Sequence, residues 1–502
     1  MAGTEPEAGT ASGAVRGRRE DGIAVFRGIP FARPPVGELR FAAPAEPEKW
    51  PGTRDASEFG PPPPQPGTGR IAPAQAAKGD DWLTVNVWSP DPGAAKLPVM
   101  VWVYGGAYVA GYSGDPAYDG KRLARLGVVV VSFNYRVGME GFAQLEGAPA
   151  NRGLLDQVAA LRWVQDNVAS FGGDPGNVTV FGQSAGAGSI AALLAMDPAA
   201  GLFRRAIVQS MPGTFFSAAL AAEIAAAAAQ EVGAPPSAAG LAGIDPGRLV
   251  AAGEAVVASF GERAGRWGAV AHTLTPFSPV VDGDVLTTTP WTALAAGRAR
   301  GIDLLAGHTR EECRLFTAGR PSEDLAAAEA HAALRAFAPR PGGEDAYAAA
   351  YPDADATRRY ELAYSDWLFR MPTLHLADAQ AAGGGPVFLY ELSYPAPAAA
   401  ALGACHGLDV PLVFGSFGAG FGPMLFGDPP PAAAGHLGEL MRASWAAFAT
   451  TGDPGWPAYA PADRLTQTFG APPAVTADPE ETSRRLWAAH RFDVLDLAEG
   501  VQ

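Results

Sequence analysis

Asn177-Val-Thr-Val-Phe-Gly-Gln-Ser184-Ala-Gly-Ala-Gly-Ser-Ile190 is the stretch whose reading settles the architecture of the chain. Val178, Val180 and Phe181 read as the end of a buried strand, and Ile190-Ala-Ala-Leu-Leu-Ala-Met196 reads as the start of a helix. Between them, Gly182-Gln-Ser184-Ala-Gly186 has the G-x-S-x-G form in which a strand turns sharply into a helix and carries a serine at the apex. Glycine at 182 and 186 lets the two elements pass closely, while Ser184 takes a strained backbone conformation. The helix behind it aims free N–H groups at the same point. The pentapeptide alone occurs by chance in many chains. Its place between a strand and a helix makes Ser184 a candidate nucleophile.

The flanking sequence repeats the strand-and-helix rhythm. Leu97–Tyr104 and Gly127–Asn134 are nearly continuous apolar runs, as strands buried on both faces should be. Leu154–Val168 places apolar residues three and four apart and predicts an amphipathic helix, and Phe203–Ser210 predicts the strand after the serine helix. Repeated strand–helix–strand units predict an α/β fold with a mostly parallel sheet and helices on both faces. Farther out, the pattern predicts strands at Ile23–Gly28, Leu83–Trp88, Ile302–Ala306 and Pro386–Tyr390, and helices at Ala218–Val232 and Gly435–Thr451. Residues 237–275 are poorly patterned and read as helices over the sheet, with a closing region around Phe492–Leu497. Residues 1–13 read as a flexible tail, Pro61–Lys78 as a loop without aromatic residues, and residues 14–502 as one domain.

Composition narrows the function classes. The 502 residues carry 37 Lys and Arg against 52 Asp and Glu, a net charge of −15, and no long basic run. Nucleic acid and anionic membranes are therefore not expected partners. Two cysteines, Cys313 and Cys405, exclude a disulfide framework and a C-x-x-C motif. The seven histidines show no H-x-x-x-H spacing, so no metal is expected. The N-terminus lacks a basic segment followed by an apolar one, and no apolar run spans a bilayer, which predicts a cytoplasmic protein.

Motifs along almost the whole length resemble the type-B carboxylesterases, the α/β-hydrolase family that includes the cholinesterases and bacterial para-nitrobenzyl-esterase-like enzymes. They include Phe26-Arg-Gly-Ile-Pro-Phe-Ala32, Asp80-Asp-Trp-Leu-Thr-Val-Asn-Val87, Tyr104-Gly-Gly-Ala-Tyr108, Asn134-Tyr-Arg-Val-Gly138, Phe181–Gly186, Phe277–Gly283 and His406–Gly415. The resemblance implies an α/β-hydrolase fold and a serine carboxylesterase with no cofactor. A serine hydroxyl needs a base, and the base an orienting carboxylate. In the family pattern these fall on His406 and, in Gly307-His-Thr-Arg-Glu-Glu312-Cys313, on Glu312, with Glu311 as its solvated or supporting neighbour. Cys313 stands where the family usually has glycine.

The resemblance also assigns the oxyanion hole to the backbone N–H groups of Gly106 and Ala107, joined by Ala185. It implies ion pairs between Arg40 and Asp80 and between Arg136 and Asp156, and Ser210 is a candidate support for the triad. The family disulfide is missing, since Trp82 occupies one of its positions; Cys313 and Cys405 flank the acid and the base and so could lie near each other. Gln183 replaces the glutamate of cholinesterases, which argues against choline esters. The expected partner is a small to medium neutral ester bound among residues that include Gln183, Tyr108 and Phe316. The same triad could instead cleave an amide, carbamate, lactone or thioester, and the family also holds catalytically silent binding modules. Monomer and homo-oligomer are both open.

Overall fold

Eleven strands form one sheet in the computed structural model, which describes residues 5–67, 79–317, 327–339 and 342–498. In chain order they are β1 (Arg18–Glu20), β2 (Ile23–Pro30), β3 (Thr84–Ser89), β4 (Leu97–Val103), β5 (Val129–Phe133) and β6 (Gly173–Gln183). After these come β7 (Arg205–Gln209), β8 (Asp303–Thr309), β9 (Val387–Leu392), β10 (Leu465–Phe469) and β11 (Ala474–Ala477). The spatial order is β1-β2-β3-β5-β4-β6-β7-β8-β9-β10-β11. Pairings from β5 through β10 are parallel, and those at both edges are antiparallel. The sheet is thus mixed with a parallel centre, and helices cover both sides.

The centre is parallel because its strands have no polar face. Every residue of β4 from Val99 to Val103 is buried, as are Val129–Val131 of β5 and Val178–Phe181 of β6. Such strands must be covered above and below, and crossover helices do this. The helices that matter for the site are α1 (Arg152–Asn167), α2 (Ala185–Ala195), α3 (Ala218–Glu231), α4 (Pro246–Ala258), α5 (Met371–Ala382), α6 (Asp409–Phe414) and α7 (Ala432–Thr451). Helix α2 packs on β6 and β7, α7 packs on β4, β6 and α6, and α5 packs on β8 and β9. A buried hydrogen bond from Gln157 Nε2 to Ser189 Oγ (3.1 Å) ties α1 to α2. Residues 237–275, unpatterned in sequence, contain α4 and a shorter helix at Phe260–Trp267.

The N-terminus departs from expectation. Residues 1–4 lie outside the described residues, but Glu7–Thr10 pairs with Gly13–Arg16, which pairs with Thr53–Asp55. Fully buried Val15 and a bond from Ala11 N–H to Asn167 Oδ1 (2.7 Å) anchor this small sheet. Backbone pairing supplies order that sparse apolar side chains did not advertise. Of the loop read at 61–78, residues 61–67 are irregular and residues 68–78 lie outside the described residues.

One of the two expected ion pairs forms. Arg136 and Asp156 are fully buried and bidentate, with Nε–Oδ2 at 2.8 Å and Nη2–Oδ1 at 2.7 Å. Arg40 instead bonds Glu140 through Nε (3.0 Å) and Nη2 (2.6 Å), because Asp80 is exposed and a buried guanidinium requires a buried carboxylate. Asp156→Ala would leave Arg136 as an uncompensated buried charge, and the expected loss is about 3–5 kcal/mol in urea unfolding. Among the described residues no helix is long and apolar enough to cross a membrane, and no group of three or more metal-ligating side chains is present.

Candidate active site

Ser184 sits at the junction of β6 and α2 with φ +59° and ψ −128°. This left-handed φ is strained for a residue with a Cβ and persists only where the surroundings enforce it. They do so by close approach: a Cβ on Gly186 would lie 2.0 Å from the Val103 carbonyl oxygen, and one on Gly182 would lie 2.6 Å from the same atom. Only glycine lets the turn press this tightly against β4. Ser184 N–H donates to the Gln209 carbonyl (2.9 Å), which fixes the apex to β7.

The loop after β4 forms the opposite wall. Gly106 (φ +133°), Ala107 (φ +54°) and Tyr108 (φ +58°) hold successive left-handed conformations. The Gly106 carbonyl accepts from Val109 and Ala110 N–H, both at 3.0 Å. Among the described residues the N–H groups of Gly106 and Ala107 donate to no other protein group, and Ala185 N–H begins α2. All three residues line the cavity that contains Ser184.

Glu312 and His406 meet behind this cavity. Glu312 follows β8, and His406 precedes α6 in a loop docked on it, with His406 N–H donating to the Glu312 carbonyl (3.1 Å). His406 Nδ1 lies 2.5 Å from Glu312 Oε2, and Glu312 Oε1 accepts from Thr309 N–H (2.8 Å). Burial would push the Glu312 carboxyl up, but the charge and hydrogen bond of His406, with help from Ser210 and Thr309 N–H, bring it below the usual range. Glu312 is therefore an anion placed to accept from Nδ1–H and hold the ring. Ser210 favours this charge, although among the described residues its Oγ reaches hydrogen-bond geometry with no partner. Glu311 braces the loop, accepting from Ala404 N–H through Oε2 (2.9 Å).

At Nε2 the observed partner is Gln183, whose Nε2 lies 3.0 Å away, and not Ser184. The buried Gln183 amide thus touches the His406 ring directly. Phe316 leans over the ring with a centroid separation of 5.3 Å. Tyr108 borders the cavity, but its ring is buried against Phe142 and its hydroxyl stands over Gly188, so it supports the loop more than it shapes a ligand surface. Cys313 and Cys405 are free, buried thiols, and burial pushes Cys405 up to about 12.

Two contributors escaped sequence reading. Phe369 stacks on His406 at 4.2 Å and 29°, a closer contact than that of Phe316. It belongs to a π-turn, Asp366–Arg370, that runs into α5 and whose irregular period hides it from helical pattern matching. Asp409, three residues beyond His406, is fully buried; its Oδ2 accepts from Gln209 Nε2 (2.7 Å) and Tyr390 OH (3.2 Å). Its place inside the His406–Gly415 motif was its only sequence signal.

The π-turn also directs Arg370 away from the cavity, onto Asp366 and onto Glu480 (3.0 Å). Burial pushes Glu480 up to about 8 against the pull of Arg370. Between its ordinary value of 4.5 and about 8, the carboxyl is protonated when folded and ionised when unfolded. Unfolding then releases a proton, so rising pH favours the unfolded chain in this window. Glu480→Gln cannot titrate, and its melting temperature relative to the parent is expected to climb as pH rises from 5 to 8. A constant difference across that range would contradict the assignment.

The cavity has a volume of about 340 Å³. Beside Ser184 and His406 its wall is largely apolar, with Tyr118, Leu315, Leu368, Phe369, Val410 and Phe421. Among the described residues no lysine or arginine lines it, and its one carboxylate, Asp115, accepts from Ala117 N–H (2.9 Å). A neutral ligand of small to medium size fits this lining.

Residues 4–487 match the model of the carboxylesterase family. The chain is 37% identical over 497 residues to the para-nitrobenzyl esterase of Bacillus subtilis, covering 95% of this chain and 97% of that one. It is 36% identical over 490 residues to the fumonisin B1 esterase of Sphingopyxis macrogoltabida, covering 92% and 86%. Phenmedipham hydrolase of Pseudarthrobacter oxydans is 33% identical over 93% of this chain and 95% of its own. Among solved structures, a PNB esterase superposes with a TM-score of 0.85 at 35% identity, covering 96% and 99%. A carboxylesterase of Geobacillus stearothermophilus superposes with a TM-score of 0.83 at 35% identity, with the same coverage.

Proposed function

The chain belongs to the carboxylesterase family and is a carboxylic ester hydrolase, and from that premise we propose that Ser184, His406 and Glu312 carry its reaction. The observation that supports this most is the convergence of a strained serine and a carboxylate-held imidazole on one cavity. Ser184 Oγ attacks the ester carbonyl while His406 Nε2 takes its proton. The carbonyl oxygen becomes an oxyanion held by the N–H groups of Gly106, Ala107 and Ala185, each worth about 2.7–4 kcal/mol in the transition state. Collapse breaks the bond to the alkoxy oxygen, which receives the proton from His406, and leaves an acyl group on Ser184. Water then attacks the acyl carbon with His406 as base, and the acid departs as Ser184 is restored.

Gln183 must turn from Nε2 as the serine proton arrives. Its amide can present NH₂ to the neutral ring or its carbonyl to the imidazolium, so it serves both protonation states. Gln183→Glu would place a carboxylate against the ring and favour imidazolium. The acid limb of kcat/KM is expected to move to higher pH by about 1 unit. Superimposable profiles would remove Gln183 from this role.

The apolar lining supports neutral esters as substrates, and the para-nitrobenzyl esterase relative suits an ester reading. A single α/β unit and a cytoplasmic setting accompany it, the latter supported by two free cysteines. The test is hydrolysis of para-nitrophenyl acetate and butyrate beside para-nitroanilide and carbamate analogues of the same acyl size. Ester turnover should exceed the others by at least tenfold. Faster anilide or carbamate cleavage would move the substrate class.

A further inference from the structure

Two segments that leave neighbouring parallel strands interlock beside the nucleophile. Tyr104 follows β4 and opens the loop of Gly106 and Ala107, and Tyr135 stands just past β5 in Asn134-Tyr-Arg-Val-Gly138. Their rings are fully buried and stack at 4.4 Å and 18°. Tyr135 OH donates to the Tyr104 carbonyl (2.7 Å). Tyr104 OH in turn donates to the Tyr135 carbonyl (3.2 Å) and accepts from Tyr135 N–H (3.1 Å). Farther along, Gly138 N–H donates to the Tyr108 carbonyl (2.6 Å). We propose that segment 135–138 clamps the oxyanion loop, and that Tyr135 is a positioning residue for ester cleavage acting through the N–H groups of Gly106 and Ala107. The clamp rests on the reading of those groups as oxyanion donors.

Three observations carry it. The first is where the bonds fall. Gly106, Ala107 and Tyr108 hold successive left-handed conformations, which residues with a Cβ keep only under outside constraint. The clamp bonds the carbonyls of Tyr104, before this run, and of Tyr108, at its end, and leaves the N–H groups between them free for substrate. Burial pushes both phenols up, so Tyr135 OH stays protonated and donates throughout the pH range of the reaction. The second is anchorage. Arg136, between the two clamp residues, bonds Asp156 of α1 through its backbone N–H as well as its guanidinium, and both side chains are fully buried. The clamp is thus fixed to the fold independently of the loop it holds. The third is closeness to the reacting atoms: a Cβ on Gly105 would lie 2.9 Å from Ser184 Cβ and 2.6 Å from the Gln183 carbonyl oxygen. The loop has no room to move toward the elbow, and a shift away from it of about 1 Å is enough to cost on the order of 10²-fold in rate.

The test compares two hydroxyl deletions. Tyr135→Phe keeps the buried ring and removes the bond to the Tyr104 carbonyl on the loop. Tyr104→Phe keeps that bond and unpairs the Tyr135 backbone instead. Each is measured for melting temperature, for kcat and KM on para-nitrophenyl butyrate, and for inhibition by propyl trifluoromethyl ketone against propyl methyl ketone. Ser184 Oγ adds to the fluorinated carbonyl carbon, its proton passes to His406 Nε2, and the carbonyl oxygen becomes a bound oxyanion with nothing released. Both variants are expected to melt below the parent, since each leaves a buried backbone group unpaired. Tyr135→Phe alone should lose about tenfold in kcat with KM changed by less than about twofold, and should weaken the fluorinated inhibitor by the same factor. Tyr104→Phe should stay within about twofold of the parent in kcat and in inhibition. Parental kcat and inhibition in Tyr135→Phe, or loss of kcat in both variants in step with their melting temperatures, would overturn the clamp and leave the donors in place. A parent that binds the fluorinated ketone no more tightly than the plain one would instead take down the oxyanion reading on which the clamp rests.

Discussion

Ser184→Ala is expected to lower kcat on para-nitrophenyl butyrate by roughly 10⁴-fold or more, with little change in KM. The methyl group fits the elbow, because the Ser184 backbone and not its hydroxyl holds the turn. Its N–H is bonded to the Gln209 carbonyl, and its carbonyl accepts from Gly188 N–H. Stability should therefore hardly move, and the cavity should still bind substrate. What is lost is the only route to an acyl-enzyme. The variant retains the oxyanion donors and the imidazole, which can still assist water, so a small residual rate over background is expected. Equal turnover by the two proteins would show that another group performs the attack.

Glu312→Gln is expected to cost about 10⁴-fold in kcat, nearly as much, although Glu312 touches no substrate. The carboxylate holds Nδ1–H at 2.5 Å and leaves Nε2 as the acceptor. A glutamine amide is nearly isosteric but can present NH₂ to Nδ1, which favours the tautomer with the proton on Nε2. That ring cannot take the proton of Ser184. The variant also loses the anion that stabilises imidazolium in the transition state. Because Glu312 is fully buried, the neutral substitution should not reduce the melting temperature as a charge reversal would. A loss of less than tenfold in kcat would mean that Glu312 only supports the loop.

The parallel centre of the sheet was legible because its strands are apolar throughout and its helices keep their period, as Leu97–Val103 and Arg152–Asn167 show. The elbow was legible because glycine at 182 and 186 has a steric cause: an added Cβ would lie 2.6 and 2.0 Å from the Val103 carbonyl oxygen. The meeting of His406 with Glu312 came from resemblance, since no local pattern relates residues 94 positions apart in the chain. Other features were hidden for definite reasons. Arg40 chose Glu140 over Asp80 by burial, which motif order does not encode. Phe369 reaches His406 from a π-turn, where three- and four-residue spacing fails. Gln183 on Nε2 depends on a rotamer.

The most direct measurement is covalent trapping of the intact protein with a fluorophosphonate, followed by peptide mass mapping and residual activity. Attack by Ser184 Oγ displaces fluoride and leaves a phosphonyl ester that mimics the tetrahedral state. The expected result is one adduct per chain, located on Ser184, with esterase activity lost in proportion to labelling. Full activity in a chain labelled at Ser184, or inactivation by an adduct at another residue, would contradict the assignment of Ser184 as nucleophile.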